Sequence, residues 1–170
     1  MNTKIVEVLN QQVSKEFAAS NHYLDIAVKL DSNGFAGGAQ FFYAQAEEER
    51  MHAMKILDYI IERDQKVSFG SMQQVNNDSK TTLRIAFKNA LDSEKKITAS
   101  VEDIVKICNE EGDYMTLEFM RFFLAEQREE ESTMKAVIDK LEIIGNDKAG
   151  LYQLDNELGS GTFRNEANPQ

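Results

Sequence analysis

Apolar side chains recur at three- and four-residue intervals along four long stretches of the chain, the spacing of an α-helix with one buried face. We predict helices over roughly residues 3–31, 36–64, 80–111 and 114–144, and a short fifth helix over roughly 148–158. No alternating apolar and polar run is long enough for a β-strand. The pattern therefore predicts an all-α protein.

Clusters of glycine, asparagine and aspartate separate these stretches, and their lengths predict how the helices connect. Three connections are short, so the helices that they join should be antiparallel neighbours. The connection over residues 65–79 reaches roughly 50 Å when extended, which is enough to run the length of a helix of roughly 42 Å. We therefore predict a four-helix bundle with one long crossover between the second and third helices, plus the short fifth helix.

The chain has 170 residues and a net charge of −10, which suits one domain, here predicted over 1–158, followed by a flexible tail over 159–170. The acid excess argues against a nucleic-acid partner and against an anionic membrane surface. No apolar stretch approaches the roughly 20 residues of a membrane span. The one cysteine, Cys108, excludes an internal disulfide, so we expect a cytoplasmic protein.

Several polar side chains fall inside the apolar stripes when each helix is placed on a wheel at about 100° per residue. They are Glu16, Tyr23, Glu49, His52, Glu94, Gln127 and Glu130. The four glutamates lie close to the midpoints of their helices, and midpoints of bundled helices share a layer whichever way each helix runs. We therefore expect four carboxylates and one imidazole to converge at the centre of the bundle.

Unpaired charges at that depth would repel one another and be costly to desolvate, and no lysine or arginine faces inward beside them. Bound cations are the simplest remedy, and carboxylates with one histidine are typical of a binuclear iron or manganese site. Two alternatives stay open at this point. One is a di-iron oxidase or peroxidase that stores no iron, and the other is a helical interaction protein whose inner glutamates are protonated.

Three strings of the sequence resemble a ferritin of the haem-free bacterial and archaeal type, over about residues 3–158. The first runs from Leu9 to Glu16, the second is Ala-Glu-Glu-Glu-Arg-Met-His-Ala over 46–53, and the third covers Glu126 to Glu131. There is no second Glu-x-x-His motif on the fourth helix, and Arg50 stands where haem-binding relatives carry methionine. The resemblance therefore implies that no haem is bound.

The same resemblance implies a set of iron ligands, carried over position by position. The first iron site would use Glu16, Glu49 and His52. The second would use Glu49 as a bridge, with Glu94, Glu130 and the nearby Gln127. A third site would use Glu48, Glu126, Glu129 and Glu130, and Tyr23 would be an electron donor beside the centre.

The resemblance also implies the activity and the assembly. Fe(II) would be oxidised to Fe(III) at this ferroxidase centre by O₂ or H₂O₂. The product would be stored as a ferric mineral inside a hollow cage of about 24 identical subunits with closed symmetry. The short fifth helix would offer Leu151, Leu154 and Leu158 for contacts between subunits.

Overall fold

A computed structural model describes residues 1–70 and 81–163 of the chain. Within these residues the secondary structure consists of five helices and no strand. The helices are α1 (Thr3–Ser32), α2 (Ala36–Glu62), α3 (Leu83–Glu110), α4 (Tyr114–Ile144) and α5 (Lys148–Gly159). The all-α prediction is confirmed, and each described helix end lies within three residues of its predicted position.

The turns after α3 and α4 each combine a glycine that ends one helix with an aspartate that caps the next. Gly112 and Gly145 end α3 and α4 with positive φ angles of 68° and 62°, a backbone region that glycine adopts without steric cost. Asp113 then accepts a hydrogen bond from the backbone N–H of Thr116, and Asp147 caps α5 in the same way. These short turns place α4 directly after α3, and α5 directly after α4.

Two apolar clusters fill the two ends of the bundle. The cluster at the α5 end contains the second halves of α1 and α4 and the first halves of α2 and α3, together with Leu154 and Leu158 of α5. The cluster at the opposite end contains the other half of each long helix. Because the first halves of α2 and α3 share one cluster, the two helices run in the same direction. The crossover topology is confirmed, although residues 71–80 of the connection lie outside the described part.

The three- and four-residue spacing of apolar residues also predicts Leu24 and Val28 of α1 as core positions, and the structure corrects this. Leu24 and Val28 of α1 are 41% and 53% exposed, because Tyr23, Ala27 and Leu30 provide the buried face at that end of the helix. In α5, Leu154 and Leu158 are buried against their own bundle instead of being free for subunit contacts. A helical pattern identifies an apolar face but not the chain that covers it.

Two further predictions concern the chain as a whole. Among the described residues, no helix is long and apolar enough to cross a membrane. Of the predicted tail, residues 164–170 lie outside the described part, and α5 itself extends to Gly159. Cys108 is buried in the cluster opposite α5, and burial raises the pKa of its thiol to about 11, as suits a core residue.

Candidate metal centre

A polar layer separates the two apolar clusters at the middle of the bundle. Glu16 comes from α1, Glu49 and His52 from α2, Glu94 from α3 and Glu130 from α4, and all five are buried. One ligand atom each from Glu16, Glu49 and His52 lies within 4.8 Å of the others. Four helices, which do not all run in one direction, thus deliver their carboxylates to one depth, as the position of each glutamate near its helix midpoint predicts.

Glu94 and Glu130 face this trio from α3 and α4. Both carboxylates act electrostatically on Glu49, and both raise its pKa. They do not form a further group of three close ligand atoms among the described residues. The buried layer therefore has a tight side, made by α1 and α2, and a looser side, made by α3 and α4.

A second group of ligand atoms lies beside the first and shares His52 with it. Glu48, His52 and Glu126 each offer one atom within 4.8 Å of the other two. Glu48 and Glu126 are half-buried, whereas Glu129 is exposed and belongs to neither group. Glu47, by contrast, points to solvent and pairs with Arg50 at 3.1 Å. The consecutive glutamates of α2 therefore have three different environments.

Hydrogen-bond donors engage most of the buried carboxylates. Gln12 Nε2 donates to Glu16 Oε1 at 2.8 Å, and Gln45 Nε2 donates to Glu130 Oε2 at 3.0 Å. Glu94 accepts from two donors, which are Tyr23 Oη and, at 2.9 Å, Gln127 Nε2. Each donor holds its carboxylate in place, either from a neighbouring helix or from the preceding turn of the same helix.

Within the described residues, three buried carboxylate oxygens have no N–H or hydroxyl donor, namely Glu16 Oε2 and both oxygens of Glu49; only a proton shared between these two carboxyl groups joins them in the metal-free protein. A buried carboxylate that lacks a donor loses its hydration without replacement, and this is costly. Because all three oxygens belong to the trio with His52, the missing partners are concentrated on one side of the layer. Lone pairs that converge in this way fit a cation bound between α1 and α2.

Burial also raises the pKa values of these carboxyl groups. The pKa values of Glu16 and Glu49 lie well above 4.5 because of burial first and of neighbouring carboxylates second. Burial and the charges of Glu48 and Glu94 raise the pKa of Glu130 to about 8. Without cations, the layer is therefore driven toward its protonated, neutral form, and bound cations would compete with those protons.

His52 lies between the two ligand groups. Its Nδ1 is 3.6 Å from Glu49 Oε2, and its Nε2 is 3.7 Å from Glu126 Oε2. Two ligand atoms that are each about 2.1 Å from one ion lie about 3 to 3.6 Å apart, so the first distance fits a shared cation. Burial would lower the pKa of His52, but Glu126 and the surrounding carboxylates outweigh it and raise the pKa.

Tyr23 is fully buried beside the layer, and its hydroxyl donates a hydrogen bond to Glu94. Burial and the nearby carboxylates raise the pKa of Tyr23 well above 10. The phenol therefore keeps its proton at neutral pH while its ring packs 5.7 Å from Phe42. Its position next to a ligand candidate agrees with the wheel, which places Tyr23 on the same face as Glu16.

Sequence reasoning missed two residues of this layer, Gln12 and Gln45. Both are buried, and both lie one helical turn before an inward glutamate, Gln12 before Glu16 and Gln45 before Glu49. Side chains four residues apart share a helix face, so this spacing was a usable signal. It would have predicted donors for the layer, but not which carboxylate each donor selects, since Gln45 bonds across to α4.

The sequence of this chain is similar to a known protein family and to individual proteins. Residues 6–144 match the family model described as a ferritin-like domain. The chain is 35% identical over 166 residues to the bacterial non-heme ferritin of Staphylococcus aureus (strain USA300), covering 98% of this chain and 99% of that protein. The corresponding protein of Staphylococcus haemolyticus is 36% identical over the same length.

Solved structures give a matching result. A crystal structure of the open pore ferritin from the archaeon Archaeoglobus fulgidus superposes with a TM-score of 0.90 at 33% identity, over 94% of this chain and 96% of that one. A humanized archaeal ferritin superposes with the same TM-score at 32% identity. The likeness extends over nearly the whole chain in both sequence and fold.

Proposed function

Because the chain belongs to the ferritin family, we propose that it stores iron and that the polar layer of its bundle is the ferroxidase centre where Fe(II) is oxidised before storage. Iron is then both the substrate of the ferroxidase centre and the cargo that the protein stores. The observation that carries the proposal is the set of three buried carboxylate oxygens on Glu16 and Glu49, beside His52, that have no N–H or hydroxyl donor in the part of the chain that the structure describes. Oxygen and imidazole donors of this kind suit iron.

We assign the first Fe(II) to Glu16, Glu49 and His52, with Glu49 shared between two ions. The second Fe(II) would take Glu94 and Glu130, with Gln127 next to Glu94. Both oxygens of Glu49 lack a donor, which suits a bridging carboxylate. Each oxygen of Glu94 accepts one hydrogen bond, from Tyr23 or from Gln127, so an ion there would use the remaining lone pair of an oxygen that is already held in place.

Glu48, Glu126, Glu129 and Glu130 remain the proposed ligands of a third iron ion. The approach of Glu48 to Glu126 supports this assignment, and His52 adds an imidazole to the same group. Gln45 lies between the two sites, because its Nε2 is 3.0 Å from Glu130 Oε2 and 3.5 Å from Glu48 Oε2.

The oxidation balances with two Fe(II) ions for each oxidant molecule. Each Fe(II) gives one electron to O₂, which takes up two protons and leaves as H₂O₂. When H₂O₂ is the oxidant, the same two electrons and two protons break its O–O bond and give two waters. Anionic oxygen ligands are hard donors and stabilise the more highly charged Fe(III), so Glu49 and its neighbours favour the oxidised products. Tyr23, in contact with Glu94, is the candidate for a further electron.

Storage requires a container, and we propose a closed cage of about 24 copies in the cytoplasm. Ferric ions that leave the centre would hydrolyse inside the cage and build a mineral. The likeness to a bacterial non-heme ferritin and to an open pore ferritin over nearly the whole chain supports the proposal. The single buried cysteine suits a reducing compartment.

The test is to add Fe(II) in air to the purified, iron-free protein. We expect rapid oxidation, a particle of about two dozen subunits by light scattering and an electron-dense core by electron microscopy. Oxidation by a monomer or dimer that forms no core would favour an oxidase that stores no iron. Absence of Fe(II) binding, with no change in Glu49→Ala or His52→Ala, would favour an interaction protein with protonated glutamates.

A further inference from the structure

A chain of three hydrogen bonds leads from the surface of the bundle to the candidate centre. The exposed Lys15 donates through Nζ to Ser100 Oγ at 2.5 Å, which links α1 to α3. Ser100 Oγ in turn lies 2.5 Å from Gln12 Oε1, and Gln12 Nε2 lies 2.8 Å from Glu16 Oε1. Lys15 and Ser100 line a surface cavity between α1 and α3, whereas Gln12 and Glu16 are buried.

The donor and acceptor roles along this chain follow from the chemistry of its members. A lysine ammonium only donates, so Ser100 accepts from Lys15. The serine hydroxyl has a single proton, which it donates to the carbonyl oxygen of Gln12. The Gln12 amide is thereby oriented with its NH₂ group toward Glu16, where it can only donate.

The consequence for Glu16 is that its two oxygens differ. Oε1 is held by Gln12, and Oε2 has no donor. Glu49 presents two donor-free oxygens instead, and Glu94 presents none. The number of donor-free oxygens thus differs between the three carboxylates, and it suits a terminal role for Glu16 and a bridging role for Glu49.

We propose that Gln12 is a positioning residue for the first metal ion, and that Ser100 fixes the direction of its amide. Gln12 holds Oε1 of Glu16 so that Oε2 is the oxygen offered to the ion. This inference rests on the proposed function, since it assigns a role within the same centre. A buried glutamine that served packing alone would affect folding but would leave the geometry of the bound ion unchanged.

The experiment is an anaerobic titration of the iron-free protein with Co(II), whose visible spectrum reports ligand geometry. In Gln12→Leu we expect the first Co(II) to bind about 10- to 100-fold more weakly, the usual effect of losing a group that orients a ligand. Its absorption bands should also shift. The matched control is Gln11→Leu, an exposed neighbour on α1, and it should bind Co(II) like the wild type.

Ser100→Ala provides a second, milder variant, because it keeps Gln12 and removes only the group that orients its amide. We expect weaker first-ion binding than in the wild type, and the double variant should bind no more weakly than Gln12→Leu alone. First-ion affinity within about twofold of the wild type in both single variants, with unchanged spectra, would overturn the role of Gln12. If Gln12→Leu does not fold, the Co(II) titration of Ser100→Ala alone tests the proposal. Failure of the wild type to bind Co(II) would instead overturn the proposed function, and the inference with it.

Discussion

At the scale of single residues, three consecutive glutamates show how one residue type takes different roles. Glu47 is exposed and pairs with Arg50, Glu48 is half-buried, and Glu49 is fully buried with no donor on either oxygen. Steps of about 100° around a helix are enough to produce this range. A local motif therefore has meaning only once its direction relative to the apolar stripe is known.

Replacing Glu49 by glutamine is the most direct test of the bridging role. Glu49→Gln keeps the shape of the side chain and removes the charge, so the pair of ions loses its shared ligand. We expect Fe(II) oxidation to fall at least about 100-fold, more than an outer ligand would cost. The metal-free variant should gain about 1–3 kcal/mol in the free energy of unfolding, because a buried carboxylate without donors is removed.

Stopped-flow absorbance in air and urea unfolding would measure these two effects. The control is Glu47→Gln, which removes a charge two residues away on the exposed face and should leave both quantities unchanged. A Glu49→Gln variant that oxidised Fe(II) at the wild-type rate would contradict the bridging assignment.

The raised pKa values predict how the stability of the metal-free protein depends on pH. The pKa of Glu130 is about 8 in the folded protein and near its ordinary 4.5 in the unfolded chain. Between these values the folded state holds more protons than the unfolded state, so stability falls as pH rises from about 4.5 to about 8. Melting temperatures of chelator-treated protein should therefore decrease between about pH 5 and about pH 8.

Two changes should weaken this dependence of the melting temperature on pH. Divalent cations should raise the melting temperature most at the high-pH end, where fewer protons compete for the carboxylates. Glu130→Gln should flatten the curve, since the amide does not titrate. A melting temperature that rose with pH in the metal-free wild type would mean that these carboxyl groups are stabilised in their charged form.

The sequence could predict the inward carboxylates because helix direction and depth follow from residue numbering alone. It could not predict the free oxygens, because these depend on which neighbour reaches each carboxylate. Gln45 lies on the same helix as Glu49 yet donates to Glu130 on α4. Similarly, Gln12 donates within its own helix but is oriented by Ser100 of α3. Packing between helices determines both, and periodicity contains no information about it.

At the scale of the helix, α1 shows the limit of a wheel. Leu24 and Val28 repeat at four-residue spacing like core residues, yet both are exposed in the single chain. Tyr23, Ala27 and Leu30 cover the inner side at that end instead. The helix therefore has a second apolar face, and periodicity cannot distinguish a face that meets its own bundle from one that meets another molecule.

The start of α2 depends on a residue far away in the chain. Its N-cap position, Phe35, provides no side-chain cap. Instead the buried Asp155 of α5 accepts hydrogen bonds from the backbone N–H groups of Gly37 and Gly38, at 3.1 and 2.8 Å. The approach is so close that a Cβ on Gly37 would lie 1.7 Å from the carbonyl oxygen of Asp155. Glycine at position 37 is thus required for α5 to dock.

We expect Asp155→Ala to lower the free energy of unfolding by about 1–2 kcal/mol, the usual range for a lost N-cap. Gly37→Ala should also be destabilising, because backbone must move to admit the methyl group. Urea unfolding would measure both. The control is Asn156→Ala, an exposed neighbour on α5, which should stay within about 0.5 kcal/mol of the wild type. An Asp155→Ala variant as stable as this control would show that α2 starts without help from α5.

At the scale of the whole molecule, the fold places a polar layer between two apolar clusters. The clusters hold the four long helices at both ends, so the carboxylates at the middle are fixed by rigid elements on either side. Parallel α2 and α3 follow from this arrangement, and the long connection already predicted them. The sequence could therefore predict the topology, because connection length limits it, whereas periodicity does not identify which exposed face meets another molecule.

The exposed apolar face of α1 provides the last prediction, which concerns the proposed cage. Leu24 and Val28 lie one turn apart and together expose apolar surface that a closed assembly would cover. Replacing Val28 by lysine adds a charge that would be costly to bury, so we expect smaller particles by light scattering. Because Val28 lies outside the buried layer, anaerobic Co(II) binding should remain. Gln11→Lys adds the same charge elsewhere on α1 and should leave assembly intact. Intact cages in Val28→Lys would show that this face is not part of a contact between subunits.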